Sequence, residues 1–366
     1  MNDFGDDYLL LHGNHAVSYG VRLARPKVIP VYPITPQTPI VEKLTDFYAA
    51  GELDAEMLTP ESEHSAMAAC ITASLTGVRV FTATASQGLM LMHELLHYAS
   101  GARAPIVMFN VNRTIGSPWG FWPDQTDSVA QRDTGWVQLY SEHGQESLDT
   151  VIQAFRIAEA VSLPVMINHD AFYVSHALEP VRIPTQSLVD EYLPAYQPEH
   201  FLDPERGESW GNVVSQDMYR RHREDLDKAM GEVPAVATEA HAEWHARTGR
   251  SYDLVEQYRC EDADVVVVTM GSMCGTVREA VDELRDAGKT VGLLKVRLFR
   301  PFPTHALRRA LADIPDVLVL DRNFSPGLGW VLHQELRAAL YDMAGAPRIH
   351  GFLAGVGGVN VPPARI

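Results

Sequence analysis

Residues 78–111 read VRVFTATASQGLMLMHELLHYASGARAPIVMFNV. The β-branched and aromatic run Val78–Thr84 predicts a strand, and the apolar periodicity of Gly88–Ser100 predicts a helix. Pro105–Val111 then predicts a second strand. Because strands that alternate with helices form parallel sheets covered on both faces, this stretch indicates an α/β fold.

The same alternation extends over most of the chain. In the first half, the further predicted strands are Lys27–Tyr32 and Pro164–Asn168, and the further predicted helices are Thr38–Ala50, Ser62–Thr76 and Leu148–Ser162. In the second half, strands are predicted at Asp264–Met270, Thr290–Arg297 and Val317–Asp321, and helices at Gly275–Ala287, His305–Ala312 and Gly329–Tyr341. We therefore expect two domains, residues 1–255 and residues 256–366.

Residues 176–255 differ in composition from both α/β units. Pro, Glu, His and Trp are frequent there and strand-like runs are absent, while His222–Met230 and Ala237–Arg247 could form polar helices. We interpret this segment as an excursion that wraps over a surface, or as a linker arm.

Charge and cysteine content exclude several classes of protein. The chain has 47 acidic and 30 basic residues and a formal charge of −17, without a Lys/Arg run, so nucleic-acid binding is not expected. Its three cysteines form no CxxC pair, so we expect no iron–sulfur cluster or zinc ribbon within this chain. The start of the sequence does not resemble a signal peptide, and no apolar run is long enough to span a bilayer. These features favour a cytoplasmic protein that does not enter a membrane.

Two polar side chains follow predicted strands, where ligands bind in open parallel sheets. Thr35 lies between Pro33 and Pro36 after the first strand, so its hydroxyl is either a well-positioned hydrogen-bond donor or a cap for the next helix. Arg113 follows the strand that ends at Val111, and its planar guanidinium suits a substrate carboxylate.

A carboxylate and an aromatic loop lie near these positions. Glu61, Glu63 and His64 open a predicted helix, where a carboxylate either interacts with the helix dipole or points at a ligand. Residues 117–127 read SPWGFWPDQTD. We expect the three large aromatic side chains of this loop to pack on a substrate pocket or on another subunit.

One motif supports a different class of enzyme. His93, Glu94 and His97 form HExxH, which on a helix could bind zinc with the glutamate as general base of a metalloprotease. The helix follows directly from the strand and the turn Ser86–Gly88, which is the edge of a parallel-sheet unit. We therefore favour two histidines on a packed or interface surface of the helix, and expect no metal site.

Several motifs in register resemble a known family. In chain order they are Gly13-Asn14, Tyr32-Pro33-Ile34-Thr35-Pro36, Ser62-Glu63, Thr82-Ala83-Thr84-Ala85-Ser86-Gln87-Gly88, Asn112-Arg113 and Gln131-Arg132-Asp133-Thr134-Gly135-Trp136. This succession resembles the alpha subunit of pyruvate:ferredoxin oxidoreductase and the wider 2-oxoacid:ferredoxin oxidoreductases. The resemblance is strongest over residues 9–175 and continues more loosely through the second unit.

The resemblance implies a fold, cofactors and partners. It implies a thiamine-diphosphate pyrimidine-type domain followed by a transketolase C-terminal-type domain. Thiamine diphosphate would be shared with a beta subunit, which would bind its diphosphate and Mg²⁺ and carry an iron–sulfur cluster. Gamma and delta subunits, the latter ferredoxin-like, would hold further [4Fe-4S] clusters, coenzyme A would be the co-substrate, and ferredoxin or another acceptor would take the electrons.

The resemblance also assigns roles to residues. Glu63 would contact the ring nitrogen of the aminopyrimidine, and Thr35 and Arg113 would hold the oxo and carboxylate groups of the substrate, with Tyr32 nearby. The implied reaction is oxidative decarboxylation of pyruvate or a related 2-oxoacid to acyl-CoA and CO₂. A larger or aromatic 2-oxoacid such as phenylglyoxylate is an alternative motivated by the aromatic loop. The HExxH metalloprotease and a non-catalytic scaffold are alternatives from other classes.

Overall fold

The computed structural model describes residues 4–366 and contains fourteen strands and twelve helices within that range. The strands are β1 (Phe4–His12), β2 (Val28–Pro30), β3 (Glu56–Leu58), β4 (Phe81–Thr84), β5 (Val107–Asn112), β6 (Val137–Tyr140), β7 (Val165–Asp170), β8 (Leu178–Pro184), β9 (Val255–Tyr258), β10 (Val265–Thr269), β11 (Val291–Val296), β12 (Leu298–Arg300), β13 (Asp316–Asp321) and β14 (Arg348–Leu353). The helices are α1 (Gly13–Ala24), α2 (Thr38–Ala49), α3 (Glu63–Leu75), α4 (Ser86–Leu91), α5 (His93–Gly101), α6 (Thr126–Val129), α7 (Gly144–Val161), α8 (Gln186–Tyr192), α9 (Gln216–Thr248), α10 (Met273–Asp286), α11 (Thr304–Ala310) and α12 (Val331–Leu340). No helix in this range is long and apolar enough to cross a membrane.

Two five-stranded sheets organise the molecule. The first has the order β12-β6-β7-β5-β4, and its strands are parallel except β12, which pairs antiparallel with β6. The second has the order β14-β13-β10-β11-β9, in which only β9 is antiparallel. The strand β12 comes from the second half of the sequence but extends the first sheet, so the two halves share main-chain hydrogen bonds.

The predicted alternation of strands and helices is confirmed, with shorter bounds for several elements. The predicted helix Gly88–Ser100 is two helices, because α4 ends at Leu91 and α5 starts at His93. The strands β3, β6 and β12 were not predicted, because they are only three or four residues long. Such short strands show no clear alternation of apolar and polar residues.

The prediction that strand-like runs are absent from residues 176–255 is wrong. The strand β8 pairs antiparallel with β1, and the two predicted polar helices are parts of the single helix α9, which contains Pro234. Few of the 33 residues of α9 are apolar, and they lie far apart along the helix. The sequence therefore did not show that the two predicted helices are one. Val233 and Trp244 of α9 are fully buried in the main core, so this segment does wrap over a surface and contributes to the packing of the first sheet.

A buried ionic cluster joins the two sheets. Glu146, in the first turn of α7, lies 2.8 Å from Lys295 Nζ at the end of β11 and 2.8 Å from Arg297 Nε. Burial alone would raise the pKa of Glu146, but the two cations outweigh it and lower the pKa to about 2. The cluster therefore stays ionised and fixes the second sheet against α7.

Candidate active site

The candidate site lies where β2, β4 and β5 end. The strands β4 and β5 are parallel neighbours, and Val28 of β2 bridges to Val80 just before β4. Their carboxyl ends therefore bring together the loops that begin at Val31, Ala85 and Arg113. This is the position predicted for ligand binding in an open parallel sheet.

The side chains of Asn14, from α1, and of Gln37, just after the loop, hold the loop Tyr32–Pro36. The Thr35–Pro36 peptide bond is cis, Asn14 Nδ2 donates to the carbonyl of Pro36 at 2.6 Å, and Gln37 Nε2 donates to the carbonyl of Ala83 at 2.9 Å. Thr35 is exposed and does not cap α2, which begins at Thr38. Its hydroxyl has no hydrogen bond with any residue of the range 4–366, and it remains available to a ligand.

Arg113 is buried at the start of the loop after β5, with 4% of its surface exposed. Its guanidinium donates to the carbonyl of Thr35 at 2.5 Å and to Gln87 Oε1. Burial lowers the pKa of Arg113, while the Asp127 and Glu63 carboxylates oppose that shift. The Nε atom is buried and has no partner within the described residues, so this guanidinium retains an unused donor.

Glu63 is the first residue of α3, and its carboxylate lies across the start of α4. Ser62 caps α3 by accepting a hydrogen bond from the main-chain N–H of Ser65 at 3.2 Å, which leaves Glu63 free of that task. Glu63 is 8% exposed and forms no hydrogen bond within residues 4–366. A Cβ added to Gly88 would lie 2.6 Å from Glu63 Oε1 and 2.5 Å from Thr84 Oγ1, so only glycine allows this close approach.

Asp127 holds the site together but received no role from the sequence. It is fully buried, and its carboxylate accepts from the main-chain N–H groups of Ser86 at 3.1 Å and of Arg113 at 3.2 Å. Asn110, Asn112 and Ser128 donate three further hydrogen bonds to it. Burial raises the pKa of Asp127 to about 7, although these donors act in the opposite direction. One clue was available: an aspartate that follows a strand with two asparagines can satisfy their buried amides.

The aromatic loop after Arg113 covers its guanidinium. The Arg113 Cζ atom lies 4.9 Å from the centroid of the Trp119 ring and 5.8 Å from that of Phe121. Trp122 packs instead on Phe172, with ring centroids 5.2 Å apart. The loop therefore packs partly on the candidate site and partly on the protein body.

The HExxH residues lie on an exposed face of α5. His93 and His97 are exposed, and His93 Nδ1 lies 2.5 Å from Gln131 Oε1. Glu94 faces His64 at 3.8 Å. Over residues 4–366 no group of three or more His, Cys, Asp or Glu side chains is arranged to bind a metal. The motif is a surface feature of α5.

Two family models match the chain. Residues 19–242 match the model described as pyruvate flavodoxin/ferredoxin oxidoreductase, thiamine diphosphate-binding. The chain belongs to the 2-oxoacid oxidoreductase family. Residues 263–366 of this oxidoreductase subunit match pyruvate:ferredoxin oxidoreductase core domain II. The resemblance and the fold class inferred from the sequence are confirmed.

Curated relatives are named subunits of such enzymes. The oxidoreductase subunit is 49% identical over 359 residues to pyruvate synthase subunit PorA of Methanothermobacter thermautotrophicus, covering 98% of this chain and 93% of the relative. It is 48% identical over 351 residues to ketoisovalerate oxidoreductase subunit VorA of Pyrococcus horikoshii, covering 95% of this chain and 89% of the relative. The chain is thus an alpha-type subunit of a multi-subunit 2-oxoacid oxidoreductase.

Solved structures share the fold of this subunit. A 2-oxoglutarate:ferredoxin oxidoreductase from Magnetococcus marinus aligns with a TM-score of 0.75 at 21% identity, covering 98% of this chain and 64% of that chain. A split-gene transketolase described as an inactive beta4 tetramer aligns with a TM-score of 0.54 at 12% identity, covering 95% of this chain and 90% of that chain. At these identities the likeness concerns architecture.

The residues at this edge fit the aminopyrimidine half of thiamine diphosphate. Glu63 has a buried carboxylate without a hydrogen bond, and Thr84 Oγ1 is buried and has no partner within residues 4–366. Gly88 leaves the space that any other side chain would fill. Buried polar groups that lack hydrogen-bond partners and lie beside an open space are typical of a site where a polar ligand ring supplies those partners.

Proposed function

We propose that this subunit contributes Glu63, Thr35, Arg113 and Tyr32 to the oxidative decarboxylation of a 2-oxoacid, pyruvate or a related acid. In the reaction, the 2-oxoacid and coenzyme A give acyl-CoA and CO₂, and two electrons pass to ferredoxin. One observation carries the proposal: Glu63, with no hydrogen bond of its own, lies against Gly88, and the buried Arg113 bonds to the adjacent Gln87 at the carboxyl edge of one sheet.

Glu63 acts on the cofactor. Thiamine diphosphate, when bound, supplies the electron sink that makes loss of CO₂ possible. The Glu63 carboxylate shares a proton with a ring nitrogen of the aminopyrimidine, and its burial strengthens that hydrogen bond. Gly88 supports this role because it leaves space beside the Glu63 carboxylate. Ser62 supports it because Ser62, and not Glu63, caps α3.

Arg113 and Thr35 bind the substrate. The guanidinium donates to the substrate carboxylate with N–H groups that include the free Nε, and the free hydroxyl of Thr35 donates to the oxo group. Tyr32 lines the same loop and is half-buried. Because Arg113 also bonds to the carbonyl of Thr35, the two donors keep a fixed separation.

Other chains complete the site and the electron path. We assign the diphosphate, Mg²⁺ and a [4Fe-4S] cluster to a beta subunit, and further clusters to gamma and delta subunits, in the cytoplasm. Exposed apolar side chains around the site, among them Leu58 and Leu91, support contact with another chain. We also place the domain boundary near residue 255, where β9 opens the second sheet.

A second candidate is the same chemistry on a larger or aromatic 2-oxoacid such as phenylglyoxylate. The contact of Trp119 with the Arg113 guanidinium favours it, because an aromatic ring beside the carboxylate clamp can pack on a bulky substrate.

The complex purified with its native partner chains tests the proposal. We expect CoA-dependent reduction of ferredoxin by a 2-oxoacid, and a loss of at least about 100-fold in kcat for Glu63→Gln, which removes the charge but keeps the size. The control is Glu61→Gln, two residues away and exposed, which should leave kcat unchanged. Unchanged turnover in Glu63→Gln would favour a non-catalytic scaffold, and turnover of phenylglyoxylate without turnover of pyruvate would favour the second candidate.

A further inference from the structure

We propose that Trp119 and Phe121 form the wall against which the side chain of the 2-oxoacid packs, and that this wall selects uncharged, apolar side chains. The inference rests on the proposed role of Arg113 as the carboxylate clamp. The inference is about which 2-oxoacid the enzyme prefers, whereas the proposed role of Glu63 is needed for any 2-oxoacid to react.

The ring pair has a fixed position above the guanidinium. Thr114 Oγ1 is 2.6 Å from both the N–H and the carbonyl of Gly120, and the N–H of Thr114 donates to the carbonyl of Trp122 at 3.2 Å. These bonds close the loop at its base. The ring centroids of Trp119 and Phe121 are 5.2 Å apart in an edge-to-face arrangement, which favours one relative orientation of the rings.

The loop is also tied to the protein body. The N–H of Gly357 donates to the carbonyl of Pro123 at 3.0 Å, and Trp122 lies against Gly358 where a Cβ would not fit. Trp119 and Phe121 nevertheless leave 52% and 46% of their surfaces exposed. The loop is therefore anchored through Trp122 and Pro123, while about half of the surface of Trp119 and of Phe121 stays exposed.

The chemistry of a 2-oxoacid places its side chain at these faces. The side chain begins only two bonds from the carboxylate carbon. When the carboxylate lies on Arg113, the side chain must lie within reach of rings that contact the same guanidinium. A bulkier side chain then covers more of the ring surface, so the gain in transition-state binding should grow with its size.

Charge in the loop acts against a second carboxylate. Residues 114–124 contain no Lys or Arg, and the loop ends in the acidic residue Asp124. The Arg113 guanidinium itself is already shared between the substrate and the protein. A dicarboxylic 2-oxoacid would have to desolvate its second charge against aromatic rings without a cation from this loop.

The test compares kcat/KM of the intact complex for pyruvate, 2-oxobutyrate, 2-oxoisovalerate, phenylglyoxylate and 2-oxoglutarate. For Trp119→Ala and Phe121→Ala we expect kcat/KM to fall little for pyruvate and about 10-fold or more for 2-oxoisovalerate and phenylglyoxylate. Trp119→Phe should recover most of the difference. Tyr341→Ala is the matched control, since Tyr341 is 90% exposed and lies in the turn after α12, and it should change no ratio.

Three results would overturn the inference: an equal fall for every substrate, a gain for the larger substrates, or loss of the partner chains from the purified Trp119→Ala complex. Failure of the proposed function is separate. In that case the wild-type complex turns over none of the five acids, whereas failure of this inference alone leaves an active enzyme whose selectivity does not depend on the two rings.

Discussion

Arg113 is held at both ends. Asp127 accepts a hydrogen bond from its main-chain N–H, and the carbonyl of Thr35 and the side chain of Gln87 accept from its guanidinium. The same carboxylate accepts from the main-chain N–H of Ser86, where α4 starts. Asp127 therefore sets the separation between Arg113, the proposed substrate clamp, and the helix against which Glu63 lies, and we propose it as a positioning residue.

Replacing Asp127 by Asn should disturb the site more than the fold. In the wild type, Oδ2 accepts from the main-chain N–H groups of Ser86 and Arg113, and Oδ1 accepts from Asn112 and Ser128. The amide keeps one oxygen acceptor and turns an NH₂ towards the other set of donors, so one of these two pairs loses its acceptor. We expect KM for the 2-oxoacid to rise by about 10-fold or more, with a smaller change in kcat, measured by steady-state kinetics of the complex. Asp133→Asn is the control, because that side chain is 78% exposed. If kcat fell while KM stayed constant, Asp127 would not act through Arg113.

The sequence could predict Glu63, Thr35 and Arg113 because each stands at a strand end or a helix start. It could not assign Asp127, since the role of that carboxylate depends on the asparagines of β5 and on the start of α4 meeting at one buried point. Nor could it show that the main-chain carbonyl of Thr35, rather than its hydroxyl, contacts Arg113. The catalytic and binding roles of Glu63, Thr35 and Arg113 stay predictions.

His169 makes the stability of the chain depend on pH. It is fully buried, with Nε2 3.2 Å from Asn14 Oδ1, and burial together with His176 and His12 lowers its pKa from 6.5 to about 3. Between these values the unfolded chain binds more protons than the folded one, so the free energy of unfolding falls as the pH falls. The slope is about 1.4 kcal/mol per pH unit for this residue.

We therefore expect the stability difference between wild type and His169→Gln to narrow as the pH is lowered from 6.5, the ordinary value for histidine, to about 5. Glutamine keeps a hydrogen-bonding side chain and does not titrate. Chemical denaturation of both proteins across this range measures the difference. A constant difference would show that His169 is not kept neutral by the fold.

Among the elements, those with their own apolar pattern were predictable and those that depend on a distant partner were not. The buried strands β5 and β10 are rich in apolar residues and were found from the sequence. The ribbon of β1 and β8 pairs residues more than 160 positions apart, as in His12 with Leu178, and neither strand is wholly buried. Local periodicity contains no information about such a pairing.

The approach of α3 to α4 predicts the effect of a single methyl group. In Gly88→Ala the new Cβ would meet Glu63 and Thr84, so the carboxylate must move away from its position. We expect a loss of kcat of about 10-fold or more and a destabilisation of about 1–3 kcal/mol. Gly101→Ala, at the end of α5 with open space around it, should change neither. Steady-state kinetics and thermal unfolding of the two variants measure these effects. Full activity in Gly88→Ala would mean that the position of the Glu63 carboxylate does not matter for the reaction.

At the scale of the whole molecule, the second sheet is fixed to the first by buried charges. Lys295 is 2% exposed and lies within 3.2 Å of the carboxylates of Glu142, Glu146 and Glu256. Asp170, at the end of β7, similarly accepts from Ser272 and Arg322 of the second unit. These contacts place the second unit beside the carboxyl edge of the first sheet, where the aromatic loop rests on residues 357 and 358.

Lys295→Met should therefore destabilise the molecule far more than the loss of a surface ion pair. The substitution keeps the length of the side chain but leaves the buried Glu146 and the partly buried Glu142 and Glu256 with too little positive charge, at a cost of about 3–5 kcal/mol. The matched control is Arg348→Met in β14, where the arginine side chain is 74% exposed and pairs with Asp316, and where we expect less than about 1 kcal/mol. The difference in the free energy of unfolding between wild type and Lys295→Met should shrink as the pH falls, because a protonated carboxyl group no longer needs a cation beside it. Chemical denaturation at two pH values measures both effects, and equal costs for the two variants would mean that this cluster does not hold the sheets together.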